Sequence, residues 1–204
     1  GGVPPMHRAL PRRGTALALV LRTSTTLAAA AGACSASTEP LAYALQHKWQ
    51  QSADSYLLRY SLPPGRTRLG EDPSLPTCIK VLYPNGTDEK TGEPKVLEKS
   101  YSPVSHPSAE GFVDLVVKAY PPRDGGGVGS YLCDMEVGET MLGTVKKKRV
   151  MHGDAAVVGR WSNIGLVAGG TGITPLLQIA RIVLESAAPA DSSTRVRLLS
   201  INRH

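Results

Sequence analysis

The first 38 positions of this 204-residue chain contain no acidic residue, and aromatic residues are scarce throughout, with one Phe (Phe112) and two Trp. That scarcity excludes a stacking surface for RNA, although the net charge of +6 and the pI near 9.3 would otherwise suit nucleic acid. Of the 23 basic residues, eight cluster in two places, Arg8, Arg12, Arg13 and Arg22 in the leading segment and the run Lys146-Lys147-Lys148-Arg149, which reads as a solvated loop. Cysteine is equally sparse. Cys34, Cys78 and Cys133 are odd in number, far apart and without C-x-x-C spacing, so they read as free thiols in a reducing compartment and frame neither a disulfide nor a zinc site. No His, Cys or paired carboxylates stand at metal or triad spacing, so no metal ligand or hydrolytic catalytic residue is assigned.

What is present is the composition of a globular protein, 41% hydrophobic and 20% charged, long enough for one good core or two small ones. From Met6 to Ser37 the chain is rich in Arg, Ser, Thr and Ala, which is the composition of a mitochondrial transit peptide. A secretory signal and an N-terminal membrane anchor are the rival readings of the apolar part. Arg22 within it counts against both. Residues 1–38 are therefore set apart as a mitochondrial targeting or anchor segment.

The densest signal lies at Asn163–Ala180, NIGLVAGGTGITPLLQIA. An apolar run, Ile164 to Ala168, has the length of a buried strand and leads into Gly169-Gly170-Thr171-Gly172. Thr174 is expected to N-cap a helix with Pro175 at its first position, running to about Ser186, with Leu176, Leu177, Ala180, Val183 and Leu184 as its apolar face. Such a strand-loop-helix start presents backbone N–H groups and a positive dipole end to an anion, a nucleotide phosphate above all. The segment is neither G-x-G-x-x-G nor a P-loop. Upstream, strands are predicted at Ala42–Gln50, Tyr56–Leu62, Cys78–Tyr83 and Gly111–Tyr120, the third ended by Pro84-Asn85-Gly86, with charged hairpin material from Thr87 to Pro94. One further strand, Arg195–Ile201, follows the helix.

The string AGGTGITPLLQ resembles the nicotinamide-nucleotide loop of the NADH-cytochrome b5 reductase branch of the ferredoxin-NADP reductase-like flavoprotein family. SYLLRYSLPPG resembles the family's first barrel strands, KSYSPVS (Lys99–Ser105) its R-x-Y-[ST]-P-V-S flavin motif, and GFVDLVVKAY its G-x-V-D-L-V-I-K-x-Y strand. Gly125-Gly126-Gly127-Val128-Gly129-Ser130 resembles its second phosphate loop, one residue short, so that Ser130 and Gly129 compete for the serine's place. The resemblance implies a six-stranded antiparallel flavin-binding β barrel over residues 39–158, then an incomplete α/β NAD(P)H-binding domain over 159–204. The family's further strands and its Cys-Gly-Pro-Pro motif do not follow Asn202-Arg203-His204.

The same resemblance implies FAD and NADH as cofactors. Lys99 (Arg in the family), Tyr101, Ser102, Pro103, Val116, Lys118, Tyr120, Gly126, Gly127 and Ser130 are expected about the flavin. Gly169, Gly170, Thr171, Gly172, Thr174 and Pro175 are expected about the nicotinamide nucleotide. Lys118 is placed near that nucleotide by the resemblance, and equally reads as a strand lysine turned to water. The implied reaction is hydride transfer from NADH to FAD followed by single electrons to a haem protein such as cytochrome b5. The alternative is a noncatalytic, degenerate reductase serving as an accessory subunit of a mitochondrial assembly that covers the last strand.

Overall fold

The computed structural model describes residues 17–20, 39–88, 90–120, 127–146, 161–185 and 194–202. Among them, six strands form one antiparallel sheet: β2 (Leu41–Ser52), β3 (Ser55–Ser61), β4 (Cys78–Thr87), β5 (Pro94–Tyr101), β6 (Phe112–Lys118) and β7 (Thr140–Lys146). Their order is β5-β4-β7-β2-β3-β6. The period of two sends alternate residues inward. Tyr43 and Leu45 of β2, Leu58 and Tyr60 of β3, Ile79 and Val81 of β4, Val113, Leu115 and Val117 of β6, and Met141 of β7 make the core. Pairing of β2 passes from β7 (Leu41–Ala44) to β3 (Leu45 onward), with a register shift between Leu45 and His47. Such an irregularity bends a strand and lets the sheet curl.

The end strands β5 and β6 are not a ladder pair, and the curl is closed by the residues that follow β5. Val104 donates its N–H to the Asp114 carbonyl at 2.8 Å, and the Asp114 N–H donates to Ser105 Oγ at 3.1 Å. Asp114 is fixed in turn by Arg59, whose Nε and Nη2 reach its two carboxylate oxygens at 2.7 and 2.8 Å. The guanidinium also stacks on Phe112, 4.0 Å from the ring centroid. A short helix, α1 (Val128–Asp134), caps one end of the curl with Val128, Leu132 and Cys133, and Tyr131 stacks on Tyr83 of β4 at 4.3 Å between centroids.

The second lobe is a three-stranded parallel sheet, order β1-β8-β9, from β1 (Leu17–Val20), β8 (Asn163–Gly169) and β9 (Arg195–Ile201). Helix α2 (Ile173–Glu185) crosses over from β8 to β9 and packs Leu176, Ile179 and Val183 on Ile164, Leu166 and Ala168. No helix among the described residues is long and apolar enough to cross a membrane.

Three expectations are corrected. Thr174 is not the N-cap: a 3-10 turn over Gly170–Gly172 starts the helical winding earlier, α2 begins at Ile173, and the Thr174 hydroxyl donates back to the Thr171 carbonyl at 3.3 Å. Leu184 lies outside the apolar face, 55% exposed, and Ile179 and Ile182 are buried instead. Strand β4 does not stop at Pro84-Asn85-Gly86. Gly86 takes a positive φ of 73°, which glycine adopts without strain, and the strand resumes to pair Thr87 with Pro94 across an irregularity. The β4–β7 ladder ends where Leu82 faces Leu142, so Pro84–Thr87 and Pro94–Val96 project as a two-stranded ribbon. Strand β7, which no sequence signal announced, lies between β2 and β4. Lys147, Lys148, Arg149 and Gly126 are outside the described residues.

Candidate functional site

The closed seam and the second lobe face each other across a cavity of about 210 Å³. The barrel supplies Lys99, Ser100 and Tyr101 at the end of β5, Ser102 after it, Val116 and Lys118 on the outer face of β6, and Tyr120 beyond. The opposite wall is Thr171, Gly172, Thr174 and Pro175, where the 3-10 turn runs into α2. Ten of the residues expected at the site from sequence, drawn from both lobes, thus line one cleft with two lysines and no carboxylate. Its volume is below the roughly 300–1,000 Å³ of pockets that enclose a drug-sized ligand, so it encloses only part of any ligand of that size.

Tyr101 carries the most informative atom. Its hydroxyl is buried and has no hydrogen-bond partner among the described residues. Burial, with Cys133 and Tyr120 nearby, pushes its phenol far above the ordinary range, so it stays a neutral O–H donor. A Cβ built on Gly129 would stand 3.7 Å from this oxygen and 2.8 Å from the Lys118 carbonyl, so α1 rests on β6 only because residue 129 has no side chain. Gly129 therefore cannot stand in for a serine. The Ser130 hydroxyl donates to the Tyr120 carbonyl at 2.9 Å, which leaves its oxygen lone pairs as acceptors.

The cations are held rather than free. Lys99 Nζ lies 5.6 Å from the Tyr101 ring centroid and 5.3 Å from that of Tyr120, a sandwich that orients the ammonium by cation–π attraction. Lys118 Nζ pairs with Asp54 Oδ2 at 2.9 Å, which raises the lysine above and holds the Asp54 carboxyl below their usual ranges. Both readings of Lys118 find a counterpart, since it lines the cleft and its head is drawn toward an exposed carboxylate. Along β6, Asp114 turns its N–H and carbonyl away from β3, toward Val104 and Ser105. By the two-residue alternation of an antiparallel strand, Val116 turns its own pair to the same side, toward the cleft.

Pro103 is buried behind the seam, Gly127 precedes α1, Gly169 ends β8, and Gly170 opens the 3-10 turn at φ 51°; none of these four lines the cavity. Cys133 is not a nucleophile in waiting, because burial pushes its thiol up to about 11 and its Sγ points at the Val117 carbonyl, 3.8 Å away. Sequence reasoning missed Asp54 and the residues through which α2 meets the barrel. Thr77 donates its N–H to Gln178 Oε1 at 3.0 Å, Arg181 donates to the Val104 carbonyl, and His106 Nε2 meets Glu185 Oε2 at 2.5 Å. Their partners are 101, 77 and 79 positions apart in the chain, so no local pattern betrays them.

A curled antiparallel sheet whose seam faces the N-terminal end of a β-α-β helix makes a two-lobed architecture with one cleft between the lobes. Residues 43–144, half of the 204, match the oxidoreductase FAD-binding domain, and the chain belongs to that family. It is 32% identical over 149 residues to NADH-cytochrome b5 reductase 1 of Neosartorya fischeri, covering 73% of this chain and 44% of that one. The enzyme of the same name from Aspergillus oryzae is 30% identical over 167 residues, 81% of this chain and 52% of its own. Among solved structures, the cytochrome b5 reductase domain of Ulva prolifera nitrate reductase is similar with a TM-score of 0.60 and 28% identity, over 80% of this chain and 63% of that one. The chain thus spans about half the length of the curated relatives it matches.

Proposed function

We propose that the chain holds FAD along the seam between β5 and β6 and serves as an NADH-dependent flavin oxidoreductase that hands single electrons to a haem protein such as cytochrome b5. The residues present fit the group: of the two buried tyrosine hydroxyls without a partner among the described residues, Tyr43 lies in the barrel core and only Tyr101 lines the cleft, where two lysines and no carboxylate suit an oxygen-rich, phosphate-bearing ligand. The Tyr101 hydroxyl is the observation that carries the reading. Tyr101 would donate to the flavin's phosphate or ribityl oxygens, Lys99 would supply charge toward the pyrophosphate, and the N–H and carbonyl of Val116 would meet the ring. Across the cleft, Thr171, Gly172, Thr174 and Pro175 would face the nicotinamide nucleotide, with the α2 dipole favouring its phosphates.

Bound FAD supplies the redox step, accepting two electrons as hydride and releasing them singly. The protein's share is to place, orient and exclude water. The haem acceptor is inferred from the names of the relatives, NADH-cytochrome b5 reductase 1. We further propose a mitochondrial destination from the composition of residues 6–37, to be tested by appending residues 1–38 to a reporter and following its import. Strand β1 lies inside that segment and pairs with β8, so removal of a leader would leave β8 with one open edge.

The test is the absorption spectrum of the purified chain with added FAD. A flavin band retained through gel filtration and bleached by NADH without oxygen is the expected result. A colourless protein sinks the catalytic reading and leaves the noncatalytic accessory subunit.

A further inference from the structure

Helix α2 meets the barrel along a single stripe. Gln178, Arg181 and Glu185 stand at i, i+3 and i+7, with Ile182, 1% exposed, on the same side. Gln178, 2% exposed, accepts from the Thr77 N–H, Arg181 donates to the Val104 carbonyl, and Glu185 meets His106 Nε2. The histidine is oriented for this contact. Its Nδ1 accepts from the Ser108 N–H at 3.1 Å, which puts the ring proton on Nε2, pointed at the carboxylate.

What Arg181 and Glu185 grip matters more than how strongly. Val104 is tied to Asp114 through its N–H, and Ser105 through its Oγ, so the segment is part of the seam on β6, the strand that carries Val116 and Lys118. At the other end of the same helix, Thr174 and Pro175 line the cleft opposite those residues. The helix is therefore a strut of about 16 Å between Thr174 and Glu185, fastened to one wall of the cavity and ending in the other.

Resting on the flavin and nicotinamide reading above, we propose that Arg181 and Glu185 are positioning residues: they touch no cofactor and fix how far the nucleotide-facing end of α2 stands from the flavin-facing strand. Losing them loosens the spacing between the two walls and leaves the barrel, and its hold on flavin, as they were. A dinucleotide that has to bridge both walls then binds more weakly.

The test compares the full chain with an Arg181→Ala/Glu185→Ala double variant and with Arg181→Lys, which keeps a donor for the Val104 carbonyl. Amide hydrogen exchange of the chain without added cofactor should quicken about threefold or more in segments 104–106 and 171–176 of the double variant, with β3 and residues 101–102 unchanged. Flavin-fluorescence titration should place its FAD dissociation constant within about twofold of the parent, while perturbation of the flavin spectrum by NAD+ should show nucleotide binding weakened roughly tenfold. Arg181→Lys should recover most of that loss, which a general packing role would not predict. Exchange unchanged in both segments overturns the proposal, as does exchange quickened equally in β3, or NAD+ binding equal to that of the parent. A parent chain that takes up no FAD overturns the flavin reading instead, and the exchange data then decide by themselves whether α2 is a strut.

Discussion

Tyr101 presents a hydroxyl that the protein encloses and that has no bond among the described residues. A buried donor in that condition costs about 1–3 kcal/mol until something accepts from it. Removing the oxygen should therefore be harmless to the empty protein and harmful to the loaded one. Tyr101→Phe is expected to melt at the same temperature or higher without FAD, by circular dichroism, and to bind FAD about tenfold more weakly, by fluorescence titration. The pair Asp54–Lys118 sets a second expectation at this scale. Lys118 depresses the Asp54 carboxyl, so the stabilising contribution is full above the unfolded carboxylate value and is lost as pH falls through the lowered one. Asp54 raises Lys118, so the same contribution is full below the unfolded lysine value and is lost as pH rises through the raised one. The difference in melting temperature between the parent and Asp54→Asn should accordingly be small, flat from about pH 5 to about pH 10, and vanish toward pH 2. A difference that grows below pH 4 would contradict the assignment.

Helix α1 sits on β6 through Gly129, whose absent side chain leaves room for the Lys118 carbonyl. Ala at 129 would push a methyl against backbone that cannot swing aside, so α1 must lift, and with it the Leu132 and Cys133 contacts to the core. A loss of about 1–3 kcal/mol is expected from chemical denaturation, together with weaker FAD uptake. Elements also show how far the residues alone could be read. Strands β3, β6 and β8 and the helix after GGTGITP were legible because alternation or an apolar run bounded by glycine is a local signal. Strand β7 was not, because MLGTVK carries a glycine and runs into lysines, and its place comes from pairing with β2 and β4 on both sides. Asn85-Gly86 is turn chemistry by composition, yet the partner strand continues past it, and tertiary pairing turns the expected stop into a kink. Thr174 was misassigned because a capping residue and a residue one step inside a helix look alike until the preceding turn is seen. Cleft residues within one motif were readable in the same way, whereas Asp54 and the Gln178, Arg181 and Glu185 contacts depend on the chain returning upon itself.

At the scale of the molecule, two separate apolar cores, one inside the curled sheet and one under α2, are joined by polar contacts and a shared cleft. That division suits a protein in which each core keeps its own wall rigid while the gap between them adjusts to what is bound. The ribbon of Pro84–Thr87 and Pro94–Val96 belongs to neither core. Its strands have only each other, Val96 is 46% exposed, and Asp88 holds the turn through bonds to the N–H groups of Lys90 and Thr91. A two-strand extension of this kind contributes little to cooperative folding. It is consequently the natural port for engineering: an epitope of a dozen residues spliced between Thr91 and Gly92 should leave melting temperature and flavin uptake within error of the parent, giving a handle for immobilisation on the side where chain can be added without disturbing either wall.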